Sequence, residues 1–113
     1  MKKFLLDTSF ILTCVKQKID FFDELLGEQI LIPEQVLNEL RRLKTPNSEL
    51  ALKILDKKKF KKIDIGKGHV DKRIIKYARE NPEIIVATLD KEIKNKTKNK
   101  NLIIRGKMKL EIV

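Results

Sequence analysis

At 113 residues the chain has room for one compact domain and not for two. Apolar residues make up 42%, so a globular fold with one core is expected despite 37% charged residues. Against 16 acidic residues stand 26 basic ones, and the resulting +10 suggests an anionic partner, either nucleic acid or an anionic membrane surface. No apolar run approaches the roughly 18 residues of a membrane span. The basic-then-apolar start, Met1 to Leu6, meets Asp7 too early for a signal peptide. A single cysteine, Cys14, excludes a disulfide framework and a Cys-rich zinc site, and suits a small core residue. The expectation is a soluble, cytoplasmic protein with one domain over residues 1–113.

Phe4-Leu5-Leu6 is continuously apolar, the pattern of a strand buried on both faces. Asp7 or Ser9 can cap a following helix through Val15, whose apolar face is Ile11, Leu12 and Val15. Ile19, Phe22 and Leu26 predict a short second helix closed by Gly27. Gln29 to Ile32 is a second buried strand, and Pro33 stops it at the first turn of a helix reaching Leu43. Thr45-Pro46-Asn47-Ser48 reads as a turn before a helix over residues 49–58, with Leu50, Leu52, Ile54 and Leu55 apolar. Ile63 and Ile65 alternate with polar neighbours, as a half-buried edge strand does, and Gly66-Lys67-Gly68 is a loop. A helix opens at Asp71 and ends at Glu80 before Asn81-Pro82. Ile84 to Ala87 is the most strand-like run, followed by a helix from Asp90 to Lys96, a strand over Leu102 to Ile104, and a last strand over Leu110 to Ile112. Strands separated by helices imply an α/β fold with a mostly parallel sheet.

In such a sheet ligands bind at the carboxyl ends of the strands. Asp7 and Asp90 follow two strands there. Asp71 lies three, four and seven residues before Ile74, Ile75 and Ala78, which predicts a place on the buried stripe of its helix. Glu39 falls on the flank of the apolar face made by Val36, Leu37, Leu40 and Leu43, whereas Glu34 points away. Converging carboxylates repel unless a cation lies between them. Oxygen ligands without His or Cys favour Mg²⁺ or Mn²⁺ over zinc. A hard cation beside a basic surface is the arrangement for phosphodiester hydrolysis. The basic surface is sought in residues 91–109, where eight of nineteen are Lys or Arg; Lys91, Lys94, Lys96, Lys98, Lys100, Arg105 and Lys107 are the candidate contacts to the substrate's phosphates.

Three segments carry a family resemblance: Leu5-Leu6-Asp7-Thr8-Ser9-Phe10, then Ile32-Pro33-Glu34-Gln35-Val36-Leu37-Asn38-Glu39-Leu40, then Val86-Ala87-Thr88-Leu89-Asp90-Lys91-Glu92. In this order they resemble the motifs of PIN-domain ribonucleases, most strongly the small archaeal proteins related to the rRNA-processing endonuclease branch. The resemblance implies a three-layer α/β/α, Rossmann-like domain that cuts single-stranded or structured RNA with Mg²⁺ or Mn²⁺. It makes Asp7, Glu39, Asp71 and Asp90 the catalytic, metal-binding acids, with Thr8, Ser9 and Thr88 as supporting hydroxyls. RNA, a homodimer, and an antitoxin or ribosome-assembly partner are the partners it suggests; a membrane is not among them. Ser9 stands where many members have Asn, Lys72 where relatives in this branch often carry a second Asp, and Leu89 where a polar residue is common.

Plainer roles stand beside these. Asp7, Asp71 and Asp90 can each serve as helix N-caps, Glu39 as a solvated flank, and the hydroxyls as caps. His69 reads as a surface residue, and Gly66-Lys67-Gly68 lacks the third glycine of a dinucleotide fingerprint. Lys57-Lys58-Lys59 and Lys61-Lys62 read as ordinary surface. The rival functions are a catalytically degenerate RNA-binding or ribosome-assembly module, favoured by Lys72, and a phosphoacceptor domain, which needs paired acids where Asp7 is followed by Thr8.

Overall fold

A computed structural model describes residues 1–106 and 108–113. Six strands form one sheet: β1 (Lys3–Leu6), β2 (Gln29–Pro33), β3 (Lys61–Ile63), β4 (Ile85–Ala87), β5 (Asn101–Arg105) and β6 (Lys109–Ile112), in the order β3-β2-β1-β4-β5-β6. All neighbours are parallel except β5 and β6. The helices are α1 (Thr8–Gln17), α2 (Phe21–Glu24), α3 (Glu34–Leu43), α4 (Pro46–Asp56), α5 (Val70–Glu80) and α6 (Lys91–Lys96). Chain order steps from β1 outward to β2 and β3, then returns across the sheet to β4. Right-handed crossovers therefore put α1 to α4 on one face and α5 and α6 on the other. The contacts agree, with α1, α3 and α4 packed together and α5 against α6. The three-layer α/β/α expectation holds.

The central strands are apolar throughout because both faces are covered. Leu5, Leu6, Ile32 and Val86 are fully buried, as are Phe10 and Ile11 of α1, Leu40 of α3 and Ile74 of α5. Cys14 lies in this core, where burial pushes its thiol up to about 12, so it stays a neutral thiol.

Several boundaries differ from the sequence reading. The expected turn at 45–48 is the start of α4: Thr45 caps it, its hydroxyl accepting from the Ser48 N–H at 3.1 Å while the Ser48 hydroxyl accepts from the Thr45 N–H at 2.8 Å. Pro46 then fits the first helical position, where no N–H is needed. Consequently α4 turns Ala51 and Leu55 inward, and Leu50, expected on its apolar face, is exposed. The second helix shrinks to the four residues of α2, leaving Leu26 exposed. Leu43, at the end of α3, is also exposed, beyond the last buried contact at Leu40.

Candidate functional site

The crossovers change direction between β1 and β4, which opens a crevice at the carboxyl ends of those strands. Asp7 leaves β1 into this crevice and is buried. Its N–H donates to the Ala87 carbonyl at 3.0 Å, tying the two strand ends together. Its carboxylate accepts three donors: the Thr8 N–H at 2.7 Å, the Thr88 hydroxyl at 2.7 Å and the Ser9 hydroxyl at 3.3 Å. Asp7 is thus the cap of α1 as well as the floor of the crevice. The capping role and the inward-facing role coincide.

Thr88 is fully buried and faces both ways. It donates to Asp7 and accepts from the Asp90 N–H at 3.0 Å, so one hydroxyl sets the spacing of two acidic residues. Ser9 likewise bridges the two strand ends, donating to Asp7 and accepting from the Leu89 N–H at 3.2 Å. The Thr8 hydroxyl reaches across to α3 and donates to Glu39 Oε1. Glu39 is half-buried, whereas Glu34 faces outward to Arg41 and Lys62, each at 3.4 Å. Asp90 caps α6, its Oδ1 accepting from the Glu92 N–H at 2.8 Å.

Asp71 departs from its expected place. It is exposed rather than on the buried stripe, because it lies in the first turn of α5, before the buried residues Ile74, Ile75 and Ala78 begin. Nor is it the cap, a position taken by His69 without a side-chain bond. Its carboxyl instead meets the other acids. Partial loss of hydration, the charges of Asp7 and Asp90, a hydrogen bond with Asp90 and the charge of Glu39 push it up to about 6. Asp7 is raised too, by burial first and by Glu39 as well, against the lowering effect of its hydrogen bonds. All four acids predicted from the sequence therefore share one electrostatic neighbourhood.

That neighbourhood has a stability signature. Asp71 binds its proton more tightly when folded than at its ordinary value of 3.8, so its contribution is present below that value and is lost as pH rises through about 6. In chelated buffer, the melting temperature of Asp71→Asn relative to wild type should climb between about pH 4 and about pH 7. A difference independent of pH would show that Asp71 does not feel its neighbours.

As placed, no three Asp, Glu, His or Cys side chains among the described residues stand close enough to clasp one ion. The donor chemistry nevertheless fits a hard cation. Every candidate ligand is a carboxylate, and Mg²⁺ keeps several waters and needs only one or two direct carboxylates. Burial is the first cause of the upward pressure on Asp71 and Asp7; the smaller part that comes from the neighbouring acids is what such an ion would relieve.

The basic run is less concentrated than its sequence suggests. Lys91 follows Asp90 directly and Arg105 ends β5 at the same sheet edge, but Lys98 and Lys100 precede β5 at the opposite edge. Lys96 pairs with Glu92 at 2.7 Å and Arg105 pairs with Glu111. Lys94 is half-buried, and Lys107 lies outside the described residues. The Thr8–Glu39 and Thr88–Asp90 bonds were absent from the sequence reading, which had only the motif positions of the hydroxyls to go by.

A family model described as a PIN like domain matches residues 4–107. Ribonuclease VapC4 of Methanocaldococcus jannaschii is 33% identical, over 99% of this chain and 97% of that one. The solved structure of the PIN domain endonuclease Utp24 superposes with a TM-score of 0.85 at 25% identity, covering 97% of this chain and 90% of the other.

Proposed function

This chain belongs to the PIN-like domain family, and from that premise we propose that it is a divalent-cation-dependent RNA endonuclease acting at Asp7, Glu39, Asp71 and Asp90. The observation that carries the reading is the hydroxyl network at the strand ends of a protein with a formal charge of +10: Thr88 bonds both the Asp7 carboxylate and the Asp90 N–H, and Thr8 bonds Glu39, while burial first and the neighbouring acids after it push Asp71 up to about 6. Carboxylates crowded on a basic protein are accounted for by a cation that sits among them. Mg²⁺ or Mn²⁺ held there would activate water and offset the charge gathering on the attacked phosphate. Asp7, buried and held by three donors, is the fixed member of the group; Asp71, exposed, is the adjustable one. Thr88 and Ser9 orient the Asp7 carboxylate, and Thr8 holds Glu39. Lys91 and Arg105, at the same sheet edge, are the cations of the run best placed to meet RNA phosphates.

The test is thermal. Mg²⁺ or Mn²⁺ should raise the melting temperature, by about 2.7 kcal/mol of stabilisation at a hundred times the Kd. The increase should shrink in Asp7→Asn and in Asp71→Asn. No shift of the wild type at millimolar cation would count against the site. The catalytically degenerate RNA-binding or ribosome-assembly module remains as a second reading, favoured by Lys72 beside Asp71; it predicts the same thermal shift without cleavage under any cation. As substrate, the similarity to Ribonuclease VapC4 supports RNA. An antitoxin gene beside this one would assign a toxin role, and its absence with ribosome-associated RNA bound would assign rRNA processing.

A further inference from the structure

Across α3 from the acids lies an open groove of about 820 Å³, walled by α3, α4 and the start of β3. Five cations border it, Arg41, Lys53, Lys58, Lys59 and Lys62, against one acid, Asp56. Arg41 and Lys62 share Glu34 through exposed contacts of 3.4 Å, the kind that bind ions weakly. Among the described residues Lys53, Lys58 and Lys59 have no ion-pair partner. Phe60, half-buried, also lines the groove; its ring packs inward on Phe22, with centroids 6.5 Å apart, and leaves its remaining surface to the groove.

We propose that this groove is a second RNA-contact surface, holding the phosphates of a single strand several nucleotides from the bond that is cut. The choice of RNA rests on the nuclease reading. The placement rests on α3 itself. Glu39 and Arg41 are two residues apart and so face different sides of the helix. A strand reaching from one side to the other crosses a body about 10–12 Å wide, which separates the two contacts by several nucleotides. Lysines on flexible stems suit a backbone whose path is not fixed, and an aromatic ring among them offers a surface on which any base can stack. An acidic protein segment would use the lysines but not the ring.

The experiment is a salt titration of RNA binding in chelating buffer, followed by fluorescence anisotropy, with single strands of about 25 and about 5 nucleotides, the latter near the smallest ordinary site size. Lys53→Gln/Lys58→Gln/Lys59→Gln changes only exposed residues. For the long strand its slope of log affinity against log salt should be shallower by about 2, at about 0.7 per lost phosphate contact. For the short strand, which can seat within the groove alone, the slope should fall by no more than that. Lys2→Gln/Lys3→Gln/Lys16→Gln, an equal loss of charge elsewhere, should leave both slopes as they are. Equal losses in the two variants, or an unchanged long-strand slope in the groove variant, would overturn the proposal. So would an oligoglutamate of equal charge that binds the groove more tightly than RNA does. Binding is read without cation, so a protein that fails to cleave but shows the long-strand effect refutes the nuclease reading and keeps the groove. A wild type that binds neither strand refutes both.

Discussion

Asp7→Asn is expected to abolish RNA cleavage, by at least about 100-fold, while leaving RNA affinity intact or improved. The carboxylate is buried and takes three donors, so it is the least replaceable of the four acids. Asn keeps its size and one acceptor oxygen but removes the negative charge. The fold should survive, because burial and Glu39 already make the charged form of Asp7 costly. Affinity should hold or rise, since the RNA phosphates then meet one less like charge. A gel-based cleavage assay in Mn²⁺ and an affinity measurement on the same preparations decide it. Cleavage at the wild-type rate would place the activity elsewhere or in a contaminant, and the nuclease assignment would fail. A wild type that binds RNA and cation yet never cleaves would decide for the degenerate module.

Phe10→Ala should cost about 3–5 kcal/mol of stability, the largest single loss expected in the domain. Phe10 is fully buried and meets Phe21 edge to face, with ring centroids 6.2 Å apart. It lies on the helix that Asp7 caps, so its packing holds the floor of the crevice. Domains of this size are stable by about 5–15 kcal/mol, so the loss is a large part of the whole. Chemical denaturation should show a much lower midpoint with an unchanged slope. A change under about 1 kcal/mol would mean that α1 does not pack against the sheet through Phe10, and that the crevice is held some other way.

The parts of the fold legible in the sequence are those where one physical demand dominates. Phe4-Leu5-Leu6 and Ile84 to Ala87 read as buried strands because both their faces are covered, and Asp7 and Asp90 followed from strand ends. Glu39 was legible only as a flank position, since helical angle alone does not say that Thr8 reaches it. The start of α4 was missed because Thr45-Pro46-Asn47-Ser48 satisfies turn and capping chemistry equally, and only the paired Thr45–Ser48 bonds distinguish them. Asp71 was placed on the right helix and the wrong side of its burial boundary, because periodicity gives direction but not where a helix clears its neighbours. The basic run misled because β5 begins at the far edge of the sheet, carrying Lys98 and Lys100 away from Asp90. Lys58, Lys59 and Lys62 read as ordinary surface because their common groove also takes its wall from Lys53 of α4 and Arg41 of α3, which no local stretch of sequence places beside them.

The bond between Thr88 and Asp7 joins residues 81 positions apart. During synthesis the ribosome releases β1, β2 and β3 well before β4, yet β4 is the strand that must enter beside β1 at the centre of the sheet. Until then Asp7 has neither its Thr88 donor nor Asp90 nearby. Pairings of such long range form late, after the local helices. No fragment that ends before residue 88 can therefore hold the Asp7 carboxylate as the whole chain does, and the crevice is completed only when β4 takes its place beside β1.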